Sequence, residues 1–127
     1  MPAIKNFYDL DCWKESKDIY LAMRKFIGQN AIKKEYYLKD QLLRASLSIS
    51  NNIAEVFERG GKKEFRRFLI IANGSAAEVK SMLLLLMEVE NNIDKNEIEV
   101  LIGKIDNCMK MTKGLIRYLN KELNSKH

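Results

Sequence analysis

One proline and six glycines in 127 residues leave the chain poor in the residues that punctuate sheet proteins. Long regular elements joined by few turns are expected instead. The single histidine, His127, is the terminal residue, a poor position for a general base or a metal ligand. It leaves the Glu-x-x-His motif of di-iron bundles without a counterpart. Cys12 and Cys108 lie far apart and form no CxxC pair, which excludes a zinc ribbon and a thioredoxin-like motif and predicts two free thiols. The longest strongly apolar run, Met82 to Met87, falls well short of the ~20 residues a membrane span needs. The stretch "MPAIKNFYDLDCWKES" also lacks the apolar core of a signal peptide. A cytoplasmic protein with no membrane contact is the expectation.

What is present is 46% hydrophobic and 31% charged residues, the balance of an ordered globular chain with enough length for one core. The 22 Lys and Arg against 17 Asp and Glu give a net charge of +5. That excess assists attraction to nucleic acid or an acidic protein, yet it is ordinary for a soluble domain and identifies no partner.

Apolar residues recur at spacings of three and four in four segments, about 11–27, 36–59, 62–90 and 94–121, each therefore a helix with one apolar face. The stripes are Trp13, Ser16, Tyr20, Met23, Ile27; Leu38, Leu42, Ala45, Ile49, Ile53, Phe57; Phe65, Phe68, Ala72, Ala76, Val79, Leu83, Leu86; and Ile98, Ile102, Ile105, Met109, Thr112, Ile116, Leu119. Gly28 is a plausible stop for the first helix, Gly60 and Gly61 supply a permissive exit from the second, and Asp94 with Glu97 resembles a capping box opening the fourth. Short connections force neighbours side by side, so the predicted fold is all-α, an antiparallel up-down-up-down four-helix bundle over residues 1–127. Apolar residues outside the stripes, among them Ile19, Phe26, Leu69, Ile70, Ile71, Met82, Leu84, Leu85 and Met87, exceed what one core requires and point to a subunit interface.

Along the second helix Arg44, Ser48, Asn51, Glu55 and Arg59 form a polar stripe with Asn52 beside it. Its arginines can meet phosphates while the asparagine amides position a backbone or base. A solvated face or a polar contact between helices of neighbouring subunits explains the same pattern. Around the following turn stand Arg59, Lys62, Lys63, Arg66 and Arg67, where the amides of a helix start would add to the pull on an anion. Lys33 and Lys34 fall at the opposite bundle end. No residue set reads as catalytic or metal-ligating, and no cofactor motif is present: "RGGKK" is neither a Walker loop nor a dinucleotide fingerprint. Asn73, Gly74 and Ser75 match a glycosylation acceptor formally, but within a helix the small residues there read as packing. Trp13, Tyr36 and Tyr37 are stacking platforms or, equally, anchors of the bundle ends.

The stretch "LKDQLLRASLSISNNIAEVFERGGKKEFRRFLIIANGSAAEV" resembles the family of four-helix bundles encoded in intervening sequences of bacterial 23S ribosomal RNA genes, also labelled S23 ribosomal protein. The likeness runs from about Trp13 to Leu119. It is carried jointly by Gln41, Leu42, Arg44, Ala45, Ser48, Ile49, Asn52, Ile53, Ala54, Glu55, Phe65, Phe68, Leu69, Ala72, Gly74, Ser75 and Glu78. Ser50 stands where the family pattern has proline and Val56 where it has glycine. The family includes the accessory variability determinant of diversity-generating retroelements, a basic homopentamer that associates with a reverse transcriptase and with nucleic acid. The resemblance thus implies a homo-oligomer, a pentamer foremost. Two functions stay open. One is a non-enzymatic protein binding RNA or DNA through Arg44, Arg59, Lys62, Lys63, Arg66 and Arg67. The other is an interaction scaffold, with a reverse transcriptase as a conceivable partner, in which Ser48, Asn51, Asn52 and Glu55 close a contact.

Overall fold

A computed structural model describes residues 5–29 and 36–125, apart from the side chains of Val56 and Arg59. A single 3-10 turn, Phe7–Asp9, leads into α1 (Asp11–Gln29), followed by α2 (Tyr36–Arg59), α3 (Lys62–Val89) and α4 (Lys95–Asn124). The fold is an all-α four-helix bundle in which α1 packs on α2 and α4, and α3 on α2 and α4. Lys33, Lys34 and His127 lie outside the described residues.

Local chemistry explains the ends of the helices. Gly60 and Gly61 have φ of 72° and 83°, a left-handed region open to glycine at no steric cost, which lets α2 stop and α3 start within two residues. At α4 the Asp94 carboxylate caps the helix by accepting from the Asn96 amide at 2.9 Å, one residue short of the Glu97 amide that a capping box would engage. Gly28 does not stop α1, which continues to Gln29: a glycine in right-handed helical geometry lowers helix propensity without breaking the ladder.

Antiparallel register is visible in the contacts between helices. Ser48 meets Ser75 and Phe57 meets Phe65 across α2 and α3. Between α3 and α4, Lys80 meets Asp106, Asn73 meets Thr112 and Arg66 meets Asn120. In both series numbers rise on one helix as they fall on its neighbour. Between α1 and α4, the Cys108 thiol donates to the Cys12 carbonyl at 3.7 Å. The start of α1 is therefore level with Cys108, and residues 109–124 of α4 run roughly 24 Å further at 1.5 Å per residue. Among the described residues that end of the bundle is built from α2, α3 and α4, with the 3-10 turn that precedes α1 packed on α2.

The core contains Ile19, Met23, Leu42, Ile49, Ile53, Leu69, Leu83, Leu86, Ile98 and Ile105, all fully buried, each contributing about 1.5–3 kcal/mol of transfer free energy. The stripes of α2 to α4 lie inward or half-buried as their spacing predicts. On α1 Ser16, Met23 and Ile27 are buried as predicted, but Cys12, Ile19 and Phe26 are buried beside them while Trp13 and Tyr20 are only half-buried, so the inner face is turned part of a position from the predicted stripe. Ile19, Phe26 and Leu69, assigned above to a second apolar face, thus belong to the core. Ile70, Ile71, Leu84, Leu85 and Val89 do remain exposed on α3. By length and composition α3 is apolar enough to cross a membrane, and a third of its most apolar stretch is buried in the bundle. The run Met82 to Met87 is only part of this: Leu69, Ile70, Ile71 and Val79 raise the average in the part of α3 that precedes it, where Asn73, Glu78 and Lys80 interrupt any continuous run.

Candidate nucleic-acid interface

The polar stripe of α2 divides in two. Asn52 donates through Nδ2 to the Ser48 carbonyl at 2.8 Å and to Ser48 Oγ at 3.0 Å, and Ser48 Oγ lies 3.0 Å from Ser75 Oγ on α3. On the other side of α3, the Thr112 hydroxyl points at Asn73 Oδ1, 3.0 Å away, and at the Cys108 and Met109 carbonyls. Together these groups form a polar belt tying α2, α3 and α4 within one chain. No buried side-chain nitrogen or oxygen among the described residues lacks a partner, so the belt avoids the desolvation penalty of about 1–3 kcal/mol per unpaired group. Asn51 and Glu55 face outward, away from it. Ser50 donates to the Leu47 carbonyl at 3.0 Å, and α2 runs unbroken past the position where the family pattern has proline.

The basic residues fall into separate places. Arg44 is exposed and paired with Asp40 one turn away at 3.1 Å. At ~1.5 Å per residue it stands roughly 24 Å along the axis from the α2–α3 turn, outside any cluster there. At that turn Lys62 pairs with Glu122 of α4 at 3.3 Å, Arg66 donates to Asn120 Oδ1 at 2.9 Å, and Arg67 lies 3.7 Å from Glu64 and over the Phe68 ring. Lys63 is exposed. Arg59 closes α2, and its side chain is outside the description. The structure thus gathers Lys62, Lys63, Arg66 and Arg67 at one end of α3. Three of the four already hold a partner, Arg66 through a hydrogen bond and Lys62 and Arg67 through partly exposed ion pairs of a kind that contributes only about 0–1 kcal/mol.

A second set of cations was overlooked in the sequence. Lys110, Lys113, Arg117 and Lys121 are all exposed on α4. Their spacing of three, four and four is the same signal that located the apolar stripes, and it would have placed them along one side of the helix.

A cavity and two buried cysteines are the remaining features of the described residues that bear on chemistry. An open cavity of about 480 Å³ between the end of α1 and the start of α4 is lined by Ala22, Lys25, Phe26, Gln29, Asn96, Glu97, Val100 and Leu101, with Lys25 and Glu97 its ionisable groups. Burial pushes the Cys12 thiol up to about 11 and the Cys108 thiol up to about 12, so both stay protonated and unreactive at neutral pH. No group of three or more His, Cys, Asp or Glu among the described residues could hold a metal ion. Of the aromatic candidates, Trp13 is half-buried and packs edge-on against Phe7 at 5.4 Å, whereas Tyr36 and Tyr37 are exposed among the described residues.

Fold and surface together define an all-α four-helix bundle with exposed apolar residues on α3 and exposed cations on α4. The chain belongs to the family described as 23S rRNA-intervening sequence protein, whose model matches residues 8–114. Its backbone is similar to the crystal structure of a protein with unknown function from the S23 ribosomal protein family of Bacteroides thetaiotaomicron VPI-5482. The TM-score is 0.74 and the identity 21%, over 84% of this chain and 95% of that one. At that identity the likeness shows the fold alone. No curated protein matches the chain.

Proposed function

We propose that the protein is a non-enzymatic, cytoplasmic accessory protein that assembles as a homo-oligomer, a pentamer foremost, and binds nucleic acid, RNA before DNA. The observation that carries this reading is the gathering of Lys62, Lys63, Arg66 and Arg67 at the start of α3, where cationic side chains and the first helical amides favour the same anion. Membership of a family linked to ribosomal RNA supports it. Assembly is supported by the exposed Ile70, Ile71, Leu84 and Leu85 on one helix, since a row of large apolar residues in water is favoured when a second surface covers it. Repeating a modest basic patch around such an assembly strengthens binding through avidity. Filter binding of a short structured RNA at two salt concentrations tests the reading. Affinity should fall steeply with salt and drop further in Arg66→Ala/Arg67→Ala; affinity indifferent to both changes would remove the assigned phosphate role.

The partner contacts of Lys62, Arg66 and Arg67 within the chain favour a second reading. In it the cations serve the bundle itself, and the protein is an interaction scaffold whose outer faces receive another protein, a reverse transcriptase being one such partner. RNA-independent assembly with no salt-sensitive binding would favour the scaffold.

A further inference from the structure

From the outer face of α4 we infer a track for single-stranded nucleic acid, with Lys110, Lys113, Arg117 and Lys121 meeting successive phosphates and Tyr118 offering a ring to one base. The inference rests on the nucleic-acid reading above and relocates its principal contacts. Residues 107–121, "NCMKMTKGLIRYLNK", carry four cations and no carboxylate. Both acids flanking this window are turned toward α3: Asp106 pairs with Lys80 at 2.8 Å and Glu122 with Lys62 at 3.3 Å. The packing of α3 on α4 thus draws away the negative charge that would otherwise neutralise the row. Among the described residues none of the four α4 cations forms an ion pair, in contrast to the engaged cations at the α2–α3 turn.

Geometry selects the partner. The row spans roughly 16 Å along a continuous helix at 1.5 Å per residue, and it lies mostly where α4 runs on past the start of α1. A line of point charges suits a linear polyanion better than a compact one. Tyr118, adjacent to Arg117, keeps 38% of its surface exposed. A cationic row beside an available aromatic ring is the combination that holds single strands, because every unpaired base offers a face for stacking while a duplex hides its own.

Fluorescence anisotropy with a labelled oligouridylate, and with a duplex of equal length, tests the assignment. In Lys110→Ala/Lys113→Ala/Arg117→Ala/Lys121→Ala the slope of log K against log salt should shrink by roughly 3, from about 0.7 per lost single-strand contact. A variant with the same loss of charge on α1, Lys14→Ala/Lys17→Ala/Arg24→Ala/Lys25→Ala, should leave most of the slope in place. Tyr118→Leu should weaken binding by roughly 5- to 150-fold, the range of one stacked base, without changing the slope. Circular dichroism should show unchanged helicity, since the substituted residues are exposed or only partly buried. Equal losses in the α1 and α4 variants would overturn the track, as would tighter binding to the duplex. If Arg66→Ala/Arg67→Ala abolishes binding while the α4 variant binds normally, nucleic-acid binding stands and the α4 track falls. Absence of salt-sensitive binding by the unaltered protein sinks both.

Discussion

α3 and α4 are antiparallel neighbours joined by Lys80–Asp106, Asn73–Thr112 and Arg66–Asn120, and their inner faces are alike: Leu69, Leu83 and Leu86 on one, Ile98 and Ile105 on the other, all fully buried. Their outer faces are opposites. α3 shows water Ile70, Ile71, Leu84 and Leu85, with Gly74 between them carrying open space where a side chain would stand. α4 shows water Lys110, Lys113, Arg117 and Lys121. Inner faces of the same kind serve the same purpose, closing the bundle. The outward difference is what distinguishes a surface that gains by being covered with another apolar surface from one that gains by meeting an anion.

Charge placed on the apolar outer face should break the comparison most visibly. Leu84→Glu/Leu85→Glu is expected to reduce the assembly to monomers of 14.8 kDa in light scattering with helicity retained, and an unchanged mass would remove α3 from the interface. Inner and outer apolar residues should also differ in their effect on folding. Ile53→Ala should cost about 2–5 kcal/mol in urea unfolding through the cavity it leaves. Met111→Ala, on the half-exposed flank of α4, should cost well under that.

Smaller again is the polar belt. Asn52→Ala removes two hydrogen bonds but leaves Ser48 paired with Ser75, so a loss of about 1–2 kcal/mol is expected from urea midpoints. An assembly that falls apart on this change would mean that Asn52 acts between subunits as well. The smallest effect concerns the two thiols. Their pKa values are raised by burial from 9.0 to about 11 and about 12, so the unfolded chain releases these protons first. They leave stability independent of pH below about 9 and subtract from it as pH climbs from there toward 12. The difference in unfolding free energy between the unaltered protein and Cys12→Ala/Cys108→Ala should be flat below that window and narrow within it.

Much of the fold was legible because periodicity is a property of spacing. Leu42, Ile49, Ile53, Leu83, Ile98 and Ile105 were placed inside by counting, and Gly60, Gly61 and Asp94 marked their boundaries through backbone freedom and capping. The turn of α1 was not legible, since Ile19 and Tyr20 satisfy the three-four rhythm equally and only the facing helices choose between them, while Phe26 and Ile27 are both taken into the core. The site was less legible than the fold. Ser48 and Asn52 look like surface chemistry in sequence because nothing there reveals Ser75, 27 positions on, across the helix contact. Likewise the basic residues near Gly60 draw the eye as a cluster in sequence, while Glu122 and Asn120, which engage two of them, are 60 and 54 residues distant. Charge density along a chain counts neighbours in one dimension; the unpaired row on α4 emerges only when the pairs in three dimensions are removed.

The most direct test of the central claim, that this is an assembling bundle which binds nucleic acid, is multi-angle light scattering of the unaltered protein, alone and with a short structured RNA, at about 50 and 300 mM salt, on either side of the screening length that governs phosphate contacts. The account predicts an oligomer, a pentamer foremost, whose mass rises with RNA at low salt and returns at high salt. A monomer, or an oligomer whose mass ignores RNA at both, would contradict it.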